Sequence, residues 1–234
     1  MLELKDVWIH YRKVAAVRGI SISVDEGEIV TLIGSNGAGK STTLRTISGL
    51  KRPSSGAIEF AGERIDTVAP DQITKFGIAH VPEGRHVFPY MSVVENLEIG
   101  AYLRTDKAAI DKGYEEVFEH FPRLRERRKQ QAGTLSGGEQ QMLTICRTMM
   151  GDPDLVMIDE PTEGLAPQIV ERVSRLIEEI AARGVAILLV EQKLTIALHI
   201  SARIYVMGHG RITFEGTPED LRGNEQIRKE WLEV

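Results

Sequence analysis

Gly34-Ser35-Asn36-Gly37-Ala38-Gly39-Lys40-Ser41-Thr42 holds the residue types that bind a polyphosphate. The stretch fits the spacing G-x-x-x-x-G-K-[ST], and the apolar run Ile29–Ile33 leads straight into it. Glycines let successive backbone N–H groups turn inward on a phosphate with no Cβ in the way. A helix starting near Lys40 would add the positive end of its dipole. Lys40 is expected to reach the β- and γ-phosphates, and Ser41 to offer its hydroxyl to Mg²⁺. The chemistry this predicts is nucleoside triphosphate binding.

Two further constellations extend that chemistry. Leu155-Val156-Met157-Ile158 is an apolar run ending in Asp159-Glu160. Open α/β sheets place ligands at the carboxyl ends of their strands. Asp159 there can hold Mg²⁺ beside Ser41, and Glu160 can take a proton from an attacking water. Leu135-Ser136-Gly137-Gly138-Glu139-Gln140 opens a second helix upstream. Ser136 and the backbone of Gly137 and Gly138 form a second candidate phosphate cradle. One nucleotide does not need two cradles, so the expectation is a facing pair of subunits in which this cradle caps the partner's nucleotide.

These residues need a scaffold, and the pattern supplies one. Leu2, Leu4, Val7 and Ile9, then Ile20, Ile22 and Val24, alternate as antiparallel strands with one buried face. Residues from about Ser92 to Met150 read as mostly helical. Leu155–Ile158 and Ala186–Val190 are continuously apolar, as parallel strands covered on both faces are. Val170, Val173, Leu176, Ile177 and Ile180 trace one helical stripe between them.

The 234 residues suffice for one large α/β domain. A net charge of −5 argues against non-specific nucleic-acid binding, and no nucleic-acid partner is expected. The basic run Arg123–Lys129 reads as a solvated helix face or linker. A single cysteine, Cys146, excludes an internal disulfide and sits among apolar neighbours as a small buried residue. No run approaches the length of a membrane-spanning helix, and the first residues lack signal-peptide order. Any service to a membrane is therefore expected from its cytoplasmic side, through a partner.

Phosphate loop, Leu135–Gln140 and the strand ending Asp159-Glu160, in this order along the whole chain, resemble an ATP-binding cassette (ABC) ATPase. The resemblance implies an α/β P-loop NTPase core with an N-terminal antiparallel β subdomain and an inserted α-helical subdomain. The core is expected over about 1–87 and 151–234, the helical part over about 88–150. It implies ATP and Mg²⁺ as ligands, with Ser41, Glu83 and Asp159 toward the metal and Glu160 and Gln192 toward catalysis. Tyr11 matches the aromatic that stacks on adenine. His80–Phe88 matches the loop joining the nucleotide to the membrane partner, with Glu83 where Gln is usual. Glu163–Pro167 matches the inter-subunit loop, with Ala166 where Asp is usual. Gln192 stands where most members carry a γ-phosphate-sensing His.

The strings VPEGR, GLAP and VEQ, and the ending Ile227–Leu232, resemble the ATPase subunits of branched-chain amino-acid importers. The competing readings are a urea or short-amide importer and a soluble non-transport ABC ATPase. Ser136 follows Lys40 too closely to admit the long coiled coil of chromosome-handling members. The implied partners are a similar cassette in a homo- or heterodimer, integral-membrane permease subunits and, indirectly, an extracytoplasmic solute-binding protein. The implied location is the cytoplasmic face of the inner (plasma) membrane, as a peripheral subunit.

Overall fold

In the computed structural model, which describes residues 1–232, the N-terminal alternation becomes two long strands. These are β1 (Leu2–Tyr11) and β2 (Val14–Val24), paired antiparallel from Leu2↔Val24 to Tyr11↔Val14. Leu2 and Leu4 sit at even positions, Val7 and Ile9 at odd ones, yet all four enter one core. A register shift between Leu4 and Val7, with Asp6 at φ 47°, resets the phase. One extra residue flips the facing of every later side chain, so this bulge is what keeps both halves of β1 buried.

β3 (Ile29–Ile33) leads into α1 (Lys40–Ile47). β4 (Ser55–Phe60) returns beside β1, and the short β5 (Glu63–Arg64) closes a four-stranded sheet of order β2-β1-β4-β5. α2 (Pro70–Ile73) precedes β6 (Ile78–Val81). Four helices follow without a strand between them: α3 (Val93–Gly100), α4 (Lys107–His120), α5 (Pro122–Glu126) and α6 (Gly137–Met149). The chain then alternates through β7 (Leu155–Asp159), α7 (Pro167–Ala181), β8 (Ala186–Glu191), α8 (Leu194–Ile200) and β9 (Arg203–Gly208). It ends in β10 (Arg211–Gly216), α9 (Pro218–Gly223) and α10 (Glu225–Trp231).

The second sheet has the order β10-β9-β3-β8-β7-β6 and is parallel except at β10. Its continuous apolar runs serve two cores at once. Leu155, Met157, Leu188 and Val190 face the core shared with β1, β2 and α1. Val156, Ile158, Ile187 and Leu189 face the core built with α3, α4, α6 and α7. Successive side chains on a strand point to opposite faces, so a strand covered on both sides has no polar position to spare.

Cys146 is buried in the helical core, and burial pushes its thiol well above the ordinary range. It is packing, not a nucleophile. The Arg123–Lys129 run forms α5 and its exit, with Arg123 paired to Glu126, Arg125 to Glu115 and Arg127 to Glu139. It is a solvated, ion-paired face, as its composition predicts. Among the described residues no helix is long and apolar enough to cross a membrane.

Candidate functional site

β3, β8 and β7 lie side by side, so their carboxyl ends coincide: Ile33 pairs with Glu191, and Asp159 with Val190. Gly34 through Gly39 turn off the end of β3, with Ser35, Asn36 and Gly37 exposed and Ala38 buried. Gly39 adopts φ 114°, and a Cβ there would come within 2.9 Å of the Ala16 carbonyl. Only glycine fits that backbone, which points the start of α1 into the turn. Thr42 lies in the first turn of α1, where its carbonyl accepts the Thr46 hydroxyl at 2.9 Å.

Lys40 is 4% exposed. Its ammonium donates to the carbonyls of Gly34 at 2.8 Å and Ser35 at 3.2 Å, and lies 3.5 Å from Glu160 Oε1. Buried charge is tolerated only when paired and hydrogen-bonded, and Lys40 is both. Ser41 Oγ donates to Asp159 Oδ1 at 3.2 Å, joining α1 to β7 across the site. Burial first of all raises the Asp159 carboxyl to about 6; Glu160 and Glu83 add to the rise, while Ser41 and Lys40 oppose it. A buried carboxylate with too little positive charge around it, beside a hydroxyl, is a hard-oxygen donor pair that suits a small divalent cation.

Glu160 adopts φ 48° while its N–H donates to the Val190 carbonyl at 2.9 Å. A left-handed non-glycine residue costs about 1–3 kcal/mol and persists only where its surroundings hold it. Here the kink turns the Glu160 side chain back toward Lys40 instead of along β7. Gln192 Nε2 donates to Glu160 Oε2 from the end of β8. Both carboxylate oxygens are thus held, one by an ammonium and one by an amide.

Glu83 lies with Glu160 and Glu163 in a cluster whose carboxylate oxygens fall within 4.8 Å of one another. It acts on Asp159 through its charge, and its near neighbours are Glu160 and Glu163. Tyr11 ends β1 at the hairpin tip, 42% exposed, with the Lys51 ammonium 4.9 Å over its ring.

Ser136 caps α6 in a reciprocal box: its Oγ donates to Glu139 Oε2 at 2.7 Å and accepts the Glu139 N–H at 3.4 Å. Among the described residues its hydrogen bonds stay within that turn, at an exposed helix end. Gly138 is fixed by packing, since a Cβ would lie 2.7 Å from Ile169 of α7.

Glu191 stands in the VEQ string, but the sequence pattern assigns it no role of its own. It is 2% exposed and accepts the Thr162 N–H at 3.3 Å and the Thr162 hydroxyl at 2.7 Å. Burial raises its pKa, and the Thr162 bonds oppose the rise. It anchors the turn that carries Glu160 and Glu163. A charge closing an otherwise apolar run was the available signal.

A parallel sheet with a phosphate loop at its centre, and a strand ending in Asp-Glu beside it, defines a P-loop ATPase cassette. The family model described as "ABC transporter" matches residues 17–163, and the chain belongs to that family as its ATP-binding, ATP-hydrolysing component. Across 99% of both chains it is 44% identical to the high-affinity branched-chain amino acid transport ATP-binding protein BraG of Pseudomonas aeruginosa. It is 36% identical to the probable branched-chain amino acid transport ATP-binding protein LivF of Archaeoglobus fulgidus, over 94% of this chain and 93% of that one. The crystal structure of the ADP conformation of an ABC transporter cassette superposes with a TM-score of 0.89 at 26% identity, covering 98% of this chain and 97% of that one.

Proposed function

We propose that this chain powers an importer of branched-chain amino acids. The observation that supports this reading is the likeness to BraG along essentially the whole of both chains. In this reading two cassettes close face to face on two ATP molecules, each nucleotide held by the Gly34–Thr42 loop of one copy and capped by Ser136, Gly137 and Gly138 of the other.

Lys40 shifts its ammonium from the Gly34 and Ser35 carbonyls to the β- and γ-phosphates. Tyr11 stacks on the adenine. Glu160, oriented by Lys40 and Gln192, takes a proton from water as the water oxygen bonds to the γ-phosphorus and the bond to ADP breaks. Gln192 holds the carboxylate and, in this reading, donates its second amide hydrogen to a γ-phosphoryl oxygen. Ser41 and Asp159, with Glu83 beside them, would hold Mg²⁺, which when bound neutralises charge on the β- and γ-oxygens.

Residues from about 88 to 150 act as the helical unit that receives the membrane permease subunits. Phe88 and Tyr90 before α3, and Tyr102 and Leu103 after it, are large apolar side chains left exposed there. Exposed aromatic surface of this kind marks a partner site. The complex places the chain peripherally on the cytoplasmic face of the inner membrane, below a permease fed by an extracytoplasmic binding protein.

The test is uptake of labelled leucine, urea and acetamide by cells lacking this gene, complemented with the wild type or Glu160→Gln. Wild type alone should restore leucine uptake. Restoration of urea or acetamide uptake instead would assign the chain to an amide importer.

A further inference from the structure

We infer that Arg85 is a positioning residue that locks the loop carrying Glu83 to the first turn of α6, so that what this chain contributes to its own nucleotide site and what it contributes to its partner's move as one. The inference rests on the shared-site reading above. Gly84 and Arg85 adopt φ 96° and 59°, two left-handed residues in succession. The Arg85 side chain reaches α6: a Cβ added at Gly137 would lie 2.3 Å from its Nη1. The other guanidinium nitrogen approaches the turn after β7, 3.4 Å from where a Gly164 Cβ would stand. Glu139, the acid of the same α6 turn, is engaged by Arg127 at 3.3 Å, so a different cation neutralises that helix end. One guanidinium thus lies against two segments, the start of α6 and the turn after β7, that the sequence keeps far from each other and from its own loop.

α6 grips the same loop from its other end. Arg147 Nη2 donates to the His86 carbonyl at 2.8 Å, and its guanidinium lies 5.0 Å over the Phe88 ring. Buried Asn96 of α3 accepts the Phe88 N–H at 2.8 Å and donates to the Phe88 carbonyl at 3.1 Å. Arg147 fixes the outer part of the loop, where Phe88 and Tyr90 are exposed to a partner. Arg85 fixes the inner part, two residues from the carboxylate cluster. A push on the outer part is carried to Gly137 and Ser136 because packed elements move as units.

The experiment compares Arg85→Ala, Arg85→Lys and Ser136→Arg with wild type in the assembled transporter, and follows amide exchange of the full chain with and without Mg·ATP. Arg85→Ala should leave KM for ATP and the thermal midpoint unchanged while kcat falls roughly tenfold, the size of a typical coupling between sites. Arg85→Lys should lose the same activity, because one ammonium cannot span both glycines, and its retained stem and charge keep a folded variant in hand. In both, ATP should still protect residues 34–42 but no longer residues 137–140. Unchanged kcat, or retained protection of 137–140, overturns the role of Arg85. If Ser136→Arg is inactive while Arg85→Ala turns over normally, only the lock is wrong. An active Ser136→Arg would remove the shared site itself, and the lock with it.

Discussion

Gln192 Nε2 and Glu160 Oε2 share a hydrogen bond that joins the end of β8 to the turn after β7. The opposite oxygen of Glu160 faces Lys40 Nζ at 3.5 Å, so the carboxylate is held in one orientation from both sides. An amide donates without titrating, which a histidine in its place could not do near neutrality.

Gln192→Ala should therefore lower kcat by about tenfold or more, with KM for ATP unchanged, through loss of a bond that orients the proton acceptor. Gln192→His should remain active but acquire a pH dependence between about 6 and 7 that the wild type lacks. ATPase rates against pH for the three proteins decide. Three superimposable profiles would show that the side chain has no part in turnover.

A second expectation follows from the confinement of Ser136 to its own helix end. Ser136→Arg and Lys40→Ala subunits should each be inactive alone. Mixed, they should regain activity, because one composite site per heterodimer is intact. Lys40→Ala should also lose nucleotide affinity, whereas Ser136→Arg should leave the monomer's affinity alone. A mixture as inactive as its parents would mean that the sites are not shared or must fire together.

Glu191 gives a stability prediction. Glu191→Ala strands the buried Thr162 N–H and hydroxyl, each costing about 1–3 kcal/mol when left unmade. Urea unfolding should show a loss of that order, and kcat should fall as the turn bearing Glu160 relaxes. Glu191→Gln keeps an acceptor oxygen for Thr162 and should recover most of the stability. Equal midpoints for wild type and Glu191→Ala would refute this anchoring role.

His80 predicts a pH effect away from the site. The Ser48 hydroxyl donates to the Leu44 carbonyl at 2.9 Å, so it can only accept from His80 Nδ1, 3.0 Å away. That leaves His80 Nε2 buried without a partner among the described residues. Burial, helped by the charge of Arg45, lowers the imidazole pKa to about 4. The folded protein therefore resists a proton that the unfolded chain takes up near 6.5. Stability from this group is full above that value and falls as pH drops toward 4, by at most about 3 kcal/mol. His80→Phe should flatten this stretch of the stability–pH curve; an unaltered slope would show that His80 is not its source.

Much of this chain could be read before its fold was known, because the signals were local. A phosphate loop needs glycines and a lysine at fixed offsets, and a serine followed by two glycines at a helix start is a local signal for an anion-binding end. Gly34–Thr42, Asp159-Glu160 and Ser136–Gly138 announce themselves in this way. The unbroken apolar runs of β7 and β8 likewise declared a sheet covered on both faces. The alternation read over Leu2–Ile9 hides a break in phase between Leu4 and Val7, and its bulge needed the partner strand to define it.

What only the tertiary structure decided is who meets whom. β8 comes after β7 in sequence yet lies between β7 and β3, and this order brings Gln192 and Lys40 each to one oxygen of Glu160. Strand order is fixed by long-range pairing and by competition for two shared cores, and residue spacing records neither. Glu191 shows the same limit: its charge was plain, but its partner Thr162 comes from another strand's turn. So does Arg85, whose contact with Gly137 exists because a loop and a helix separated by three other helices pack together. The sequence specified which groups could do chemistry, and the packing of β-strands chose their neighbours.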